Sequence, residues 1–394
     1  MDEFRRGRRP LRQAPESPPL DRRRFLILVG GAIAWSTLRP HAALAKRVAN
    51  PTPLQPWSVP VEPPGTTIEI ARGLIGAAVL APSDWNTQPW HFEVEDNVIR
   101  VVADPKRALP VTDPDRRGMM VALGAALENM LITARAWGLR PSVIYLPHEG
   151  ANDVVAEVSW IAGDPRRDLA MAAAIAERRT NRHDFDDRGL FPQNRAALAA
   201  QVPEGLNLHW IDDGQRLKAL GDIVHDAVHE QTSDPRAQAE QYGWMRFDDG
   251  KEEGDGVPVD ELEISGPAGW FAGRYFDPKS MFSRFGAEYA AKQARGQVKS
   301  AGSVVLLTCA NHDDASRLMG GQAMQRMSLK ATQLGIAQHV ISAPIEVERS
   351  RGATLAAFGA GTEYPLVMMR LGHARPPKPT PRRGVSLVST FRNT

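Results

Sequence analysis

An α+β fold assembled from two related halves is what this sequence predicts, and three observations predict it. Gly124-Ala-Ala-Leu-Glu-Asn-Met-Leu-Ile-Thr-Ala-Arg-Ala-Trp-Gly-Leu139 aligns without gaps on Gly321-Gln-Ala-Met-Gln-Arg-Met-Ser-Leu-Lys-Ala-Thr-Gln-Leu-Gly-Ile336. Gly124/Gly321, Ala126/Ala323, Met130/Met327, Ala134/Ala331 and Gly138/Gly335 are identical at a constant offset of 197 residues. Both segments place apolar residues at helical spacing and end on Gly, the residue that tolerates the left-handed conformation past a helix end. Each is followed by a β-like run, Ser142–Leu146 and Gln338–Ile341. Finally, His91–Glu95 alternates, Asp96-Asn97 turns, and Val98–Val102 returns, which is a hairpin signal. A length of 394 residues allows two domains or one large one. The expected division is a first half at 66–165 and a second at 166–394.

The termini of these halves carry a different message. Lys+Arg 48 against Asp+Glu 46 gives a net charge of +2, yet residues 1–45 hold nine arginines and four acids. The rest of the chain is therefore slightly acidic, at −3, and offers no basic surface for nucleic acid. Asp21-Arg-Arg-Arg-Phe-Leu-Ile27 leads into an apolar run to Leu38, interrupted by Gly30 and Gly31, and Ala43-Leu-Ala45 follows. The run is too short for a comfortable bilayer span, so no stable membrane span is expected in the mature chain. Arginine pair, apolar region and A-x-A site in that order resemble a twin-arginine signal peptide, with Asp21 where Ser or Thr is usual. A basic tail with an amphipathic anchor is the competing reading. Such a signal implies the twin-arginine export machinery as partner and a periplasmic or otherwise extracytoplasmic location. Residues 46–65 are proline-rich and read as a linker.

The single cysteine, Cys309, excludes an internal disulfide, and its apolar setting in Ser303–Ala310 reads as a buried strand thiol. Residues 236–285 form the least regular stretch. They contain the acidic, glycine-rich Asp248–Gly256, flanked by Tyr242, Trp244, Phe247, Trp270, Phe271, Tyr275 and Phe276. A lid over a pocket and a surface excursion with its own small core fit this pattern equally.

Familiar catalytic signatures are missing: no G-x-S-x-G, no Walker-A loop, no H-E-x-x-H and no C-x-x-C. His225 and His229 share a helical face, but without a third ligand they read as a solvated face, and no metal is expected. Two segments are more specific. Ala81-Pro-Ser-Asp-Trp-Asn-Thr-Gln-Pro-Trp-His-Phe92 packs amides and hydroxyls into a loop able to face a flat polar ligand, with Trp90 as core anchor. Glu177-Arg-Arg-Thr-Asn-Arg-His-Asp-Phe185 sets three guanidiniums and a hydroxyl at a helix end, which suits a phosphate as well as it suits a solvated surface cluster.

These two segments, A-P-S-x-x-N-x-Q-P-W and R-R-T-x-R, resemble signature motifs of the nitroreductase family of flavin enzymes. The resemblance is greatest to the Acg-type FMN-binding oxidoreductases, in which one chain carries two nitroreductase-like halves. It spans roughly 66–390 and includes Ala343-Pro-Ile-Glu346 and Thr380-Pro-Arg-Arg383. It implies that Arg178, Arg179, Thr180, Arg182 and Arg383 hold the FMN phosphate. Pro344, Ile345 and Glu346 would line the ring with a backbone N–H near flavin N5, Glu346 being a weak catalytic candidate. Pro82, Ser83 and Asn86 would reach across from the first half.

No arginine segment precedes the Asn86 loop and no N-x-Q-P-W follows Arg182, so each half holds part of a site. The implied architecture is a pseudo-dimer of the halves with one FMN between them. The implied activity passes electrons from a small-molecule donor through FMN to a nitroaromatic, quinone or similar planar acceptor. Because the flavin carries the hydride chemistry, no protein acid–base dyad is demanded. The alternative is a non-catalytic protein that sequesters flavin beneath a lid.

Overall fold

Thr66 and Glu69 open the first helix with a reciprocal cap: Glu69 N donates to Thr66 Oγ1 (3.3 Å) and Thr66 N donates to Glu69 Oε2 (3.2 Å). The computed structural model describes residues 59–392 except 61, 64, 148–152, 164–166, 187, 247–253 and 259–283. The signal-like segment 1–45 and most of the linker thus lie outside the described residues.

The chain runs α1 (Thr67–Ala78), β1 (Trp90–Glu95), β2 (Val98–Ala103), α2 (Arg117–Ala136), β3 (Leu139–Tyr145) and β4 (Val154–Ala162). It continues through α3 (Leu169–Glu177), α4 (Pro192–Ala199), β5 (Leu206–Ile211), α5 (Gly214–Ser233) and α6 (Pro235–Gly243). A two-residue ladder joins β6 (Met245–Arg246) to β7 (Val257–Pro258). Then follow α7 (Arg284–Lys299), β8 (Ser303–Cys309), α8 (Asp314–Gln333), β9 (Ala337–Val340), α9 (Glu348–Phe358), β10 (Tyr364–Gly372) and β11 (Ser389–Phe391).

The strands form two main sheets, ordered β11-β1-β2-β4-β3 and β5-β8-β10-β9. The hairpin read from the sequence closes in register from Trp90↔Ala103 to Glu95↔Val98. Its residues alternate between buried and half-buried, because Phe92, Val94, Ile99 and Val101 face α2 while Arg100 pairs with Glu95 and Glu157 on the other face. Strand β8 is buried at every position. Val305 and Leu307 pack toward α8, and Val304 and Leu306 pack against Leu220 and Val224 of α5 and Val298 of α7. The last strand, β11, runs parallel to β1 with Phe92↔Ser389. Sheet one is therefore finished by the far end of the chain, across the 165/166 division. The stretch 236–285 contains helix α6 rather than loop at its start, and Trp270, Phe271, Tyr275 and Phe276 lie outside the described residues.

Helices α2 and α8, which carry the aligned segments, cross at the paired glycines. A Cβ on Gly124 would stand 2.1 Å from Leu318 O, and one on Gly321 would stand 2.1 Å from Val121 O. Leu318 lies 197 residues after Val121, as Gly321 does after Gly124, so the contact is reciprocal. Polar pairs flanking it exchange in the same way: Gln325 Nε2 donates to Asn129 Oδ1 (2.7 Å), and Arg326 Nη1 donates to Glu128 Oε1 (3.0 Å). Every residue of α2 but Arg135 is buried. It is the one described helix long and apolar enough to cross a membrane, and 94% of that stretch is buried inside the protein.

A methyl group at either glycine must therefore push two backbones apart. Gly124→Ala is expected to destabilise the chain by about 2–3 kcal/mol or more, the upper range for overpacking. Urea denaturation checks this, and an unchanged midpoint would show that the helices can separate without loss.

Candidate functional site

The Asn86 loop is held in a shape its residues disfavour. Trp85 (φ 51°), Asn86 (φ 52°) and Gln88 (φ 50°) all adopt left-handed backbone without being glycine. Neighbouring segments hold it there. Gln88 N donates to Ser83 Oγ (2.9 Å), Arg107 Nη1 to Thr87 O (2.6 Å), and Arg382 Nη2 to Ala81 O (3.3 Å). The two buried amides bind chain rather than open space. Asn86 Nδ2 donates to Gly256 O (2.8 Å) and Pro381 O (3.1 Å), and Gln88 Nε2 donates to Gly254 O (2.7 Å). Gln88 Oε1 accepts from Arg383 N (3.0 Å), which joins the loop to the late arginine pair. Trp90 is fully buried, as its anchor role requires.

Against this loop stands the first turn of α2. Asp113 caps it, accepting from Gly118 N and Met119 N (both 2.9 Å). Gly118 makes room for the Asp84 carboxyl, since a Cβ there would lie 2.4 Å from Asp84 Oδ2 and force that side chain to move. Arg117 reaches inward from the same turn, donating to Leu366 O (2.6 Å) and pairing with Glu346 Oε1 (3.3 Å). Glu346 Oε2 accepts from Gln231 Nε2 of α5 (2.9 Å), and Asp84 Oδ1 accepts from Ser342 Oγ (3.1 Å). Asp84 and Asp113 also line a small cleft with Thr87, Arg107 and Met119.

Three carboxyls thus converge on one guanidinium. Burial and the neighbouring Asp84 charge push Glu346 up to about 8, against the opposing pull of Arg117 and Gln231. Burial and Asp113 also raise Asp84, although Arg117 and the Ser342 hydroxyl favour its charge. Pro344 and Ile345 are buried in a short helical turn, Ala343–Glu346. That turn uses its own amides, because Ile345 N and Glu346 N both donate to Ser342 O (3.0 and 3.1 Å). A ring-facing N–H from either residue, as the resemblance implies, is therefore already engaged in this structure.

The arginine segment lies on the other sheet. Arg178 caps α3, is buried, and places Nη1 3.5 Å from Thr180 Oγ1; burial and Arg179 pull it down to about 9. Arg179 is half-buried and donates from Nη1 to Ala176 O and Arg178 O. Asn181 N donates to Gln338 O of β9 (2.8 Å). Arg182 stands close enough to His339 to help hold that buried imidazole well below its usual range, after burial itself and Arg370.

Arg383 sits between the loop and residues 254–258, a strap whose Gly254 and Gly256 carbonyls accept from Gln88 and Asn86. Burial, then Arg107, lowers it to about 10, and its Nη2 donates to Leu387 O (3.0 Å). The strap's Asp255 binds Arg107 (2.9 Å) and Arg246 (2.8 Å). The structure therefore brings Pro82, Ser83 and Asn86 together with Arg383 and, through Asp84, with Pro344–Glu346. Arg178–Arg182 lie instead against β9, the strand that ends two residues before Ser342. Asp84, Asp113, Arg117, Gln231 and Ser342 were not singled out by the sequence. The only signal was Asp84's place inside the quoted loop.

His225 and His229 of α5 face Glu288 Oε2 of α7 at 3.7 and 3.9 Å, as an ionic cluster with Lys292. Among the described residues, no group of three or more His, Cys, Asp or Glu side chains is arranged to hold a metal ion.

The residues present fit the flavin mononucleotide that the resemblance implies. Among the buried polar atoms that make no hydrogen bond in the described residues are the acceptor Asn86 Oδ1 and the donor Arg383 Nη1. One comes from each half, and a ligand with a donor for Asn86 Oδ1 and an anionic oxygen for Arg383 supplies what both lack.

No protein-family model matches the chain. It is 30% identical over 328 residues to "Putative NAD(P)H nitroreductase Rv3131" of Mycobacterium tuberculosis, covering 81% of this chain and 91% of that protein. It is 25% identical over 332 residues to "Putative NAD(P)H nitroreductase acg" of the same organism, covering 82% and 96%. Among solved structures, the FMN-dependent nitroreductase NfnB of Mycobacterium smegmatis in complex with NADPH matches 57% of this chain and 98% of its own, with TM-score 0.35 and 17% identity. A nitroreductase with bound FMN from Bacteroides fragilis matches 52% and 88%, with TM-score 0.30 and 14% identity. The fold is α+β, with two main sheets and a polar cluster around the Asn86 loop and the first turn of α2. The chain belongs to the nitroreductase family.

The raised Glu346 makes stability pH-dependent. Its folded value, about 8, lies above the ordinary 4.5, so the folded chain binds the extra proton and stability falls as pH rises between the two. Glu346→Gln keeps the shape without the charge and should flatten that fall. Urea midpoints at a series of pH values check this; an equally steep fall in the variant would place the titration elsewhere.

Proposed function

We propose that this protein is an exported FMN-dependent oxidoreductase in which two halves of one chain take the place of two subunits around a single flavin. The observation that carries this reading is the pair of unmet buried atoms, Asn86 Oδ1 and Arg383 Nη1, at positions the family motifs mark for FMN. Arg178, Arg179, Thr180, Arg182 and Arg383 would hold the phosphate through charge-assisted bonds from planar donors. Pro344, Ile345 and Glu346 would lie along the ring, with Pro82, Ser83 and Asn86 completing the site from the first half. FMN, when bound, supplies the hydride and electron transfer.

The chain's own residues set the surroundings. Glu346, buried and tied by Arg117 and Gln231, keeps a proton on its carboxyl near neutral pH. The acceptor that the family resemblance implies is a nitroaromatic, quinone or similar planar compound. The names of the M. tuberculosis relatives support a nicotinamide nucleotide as donor. Arg22–Arg24 and Ala43–Ala45 support twin-arginine export. Replacing Arg22, Arg23 and Arg24 by Lys should then trap the protein in the cytoplasm, because ammonium groups do not reproduce paired guanidiniums. Unchanged export in a fractionation assay would reject that route.

A second reading, flavin sequestration, is favoured by one feature. The 254–258 strap bonds directly to Asn86 and Gln88, across the loop expected to face the flavin. The visible spectrum separates the readings: yellow protein bleached by anaerobic NADPH supports the reductase, whereas yellow protein inert to NADPH supports sequestration. Colourless protein that cannot be loaded with FMN would remove both. Arg182→Ala is expected to weaken FMN about ten- to hundred-fold, the range for a bond to a charged group. Arg72, stacked over Phe391, should be dispensable for binding. Fluorescence quenching on adding FMN measures both; full affinity in Arg182→Ala contradicts the phosphate assignment.

A further inference from the structure

Behind the arginine segment, three successive carbonyls point at buried side chains. Arg370 Nη2 donates to Asn181 O (3.0 Å) and His183 O (2.9 Å), and Gln297 Nε2 donates to Arg182 O (2.6 Å). The two donors are themselves joined, since Arg370 Nη1 donates to Gln297 O (3.0 Å). Arg370 is fully buried on β10 and lies 4.0 Å from the centre of the Phe185 ring. Its Nε donates to His339 Nδ1 (3.0 Å), which fixes the imidazole tautomer with the proton on Nε2. Around this centre the segment is tied at its edges. Asn181 Nδ2 donates to Arg375 O (2.7 Å), and Phe185 N donates to Ser300 Oγ (3.1 Å).

The contacts from β9, β10 and α7 therefore fix the backbone of 181–185 from behind. Residues whose carbonyls face inward have little freedom in where their side chains leave the chain, and a preformed donor set loses less entropy on binding an anion. We propose that Arg370 and Gln297 are positioning residues. They clamp the 181–183 backbone so that Arg178–Arg182 present a ready seat for a phosphate monoester, and this clamp sets the preference for phosphorylated over unphosphorylated flavin. The proposal rests on the flavin reading above for its ligand and on the clamp geometry for its mechanism.

Gln297→Ala removes the bond to Arg182 O and leaves Arg370 in place; Arg370→Lys is the stronger companion variant. Both are compared with the full-length wild-type chain for binding of FMN, riboflavin and inorganic phosphate. Gln297→Ala should weaken FMN about five- to tenfold while riboflavin stays within about twofold, and the rise in melting temperature that phosphate gives wild type should shrink. A merely structural role predicts equal weakening of both flavins. That result, or no change in either, overturns the clamp. Should wild type bind neither flavin, the flavin reading fails and phosphate decides the clamp alone. A phosphate-induced melting rise lost in Gln297→Ala sustains it; no rise in wild type overturns it.

Discussion

The close approach of α2 and α8 at Gly124 and Gly321 is the constraint on which the rest depends. With backbone resting on backbone there, the first turn of α2 is carried to within reach of the second half. Only at that spacing does Arg117 meet both Leu366 O and Glu346, one partner on β10 and one beyond β9. Gly118 repeats the device at smaller scale, letting the Asp84 carboxylate rest on the helix's opening turn. Helix packing and site chemistry are therefore one problem, solved by three glycines.

The charges are arranged in two poles. Asp84, Asp113 and Glu346 crowd around Arg117, and one proton resolves the excess by residing on a carboxyl whose burial already disfavours its charge. Arg178 and Arg179 lie beside the other sheet, where burial makes their charge costly. Between the poles, Arg383 and Arg107 share the region with Asp255 of the strap. In the proposed function, a ligand with an uncharged polar ring at one end and a phosphate at the other matches this distribution.

What was legible in the sequence was whatever is local or periodic. The hairpin 91–102 and the buried strand around Cys309 follow from alternation and apolar run. The aligned helices follow from their shared glycines and alanines, and those same glycines prove to be the crossing point. Longer-range features were not legible. Strand β11 has three residues and no pattern of its own; it exists because β1 offers an edge. Asn86 and Gln88 were read as facing a ligand. Their amide nitrogens bind the strap and Pro381 O, because a loop with three left-handed residues needs partners to hold it, and Asn86 Oδ1 is left without a partner among the described residues. Arg117, Gln231 and Ser342 are ordinary residues in sequence, and only the fold brings them to Glu346.

In the proposed function the two halves build one site, with the loop supplied by the first and the arginines by the second. Titration of flavin-free full-length chain with FMN, followed by flavin fluorescence, decides whether they do. One FMN per chain is the expected equivalence point. Two equivalent sites per chain would contradict it.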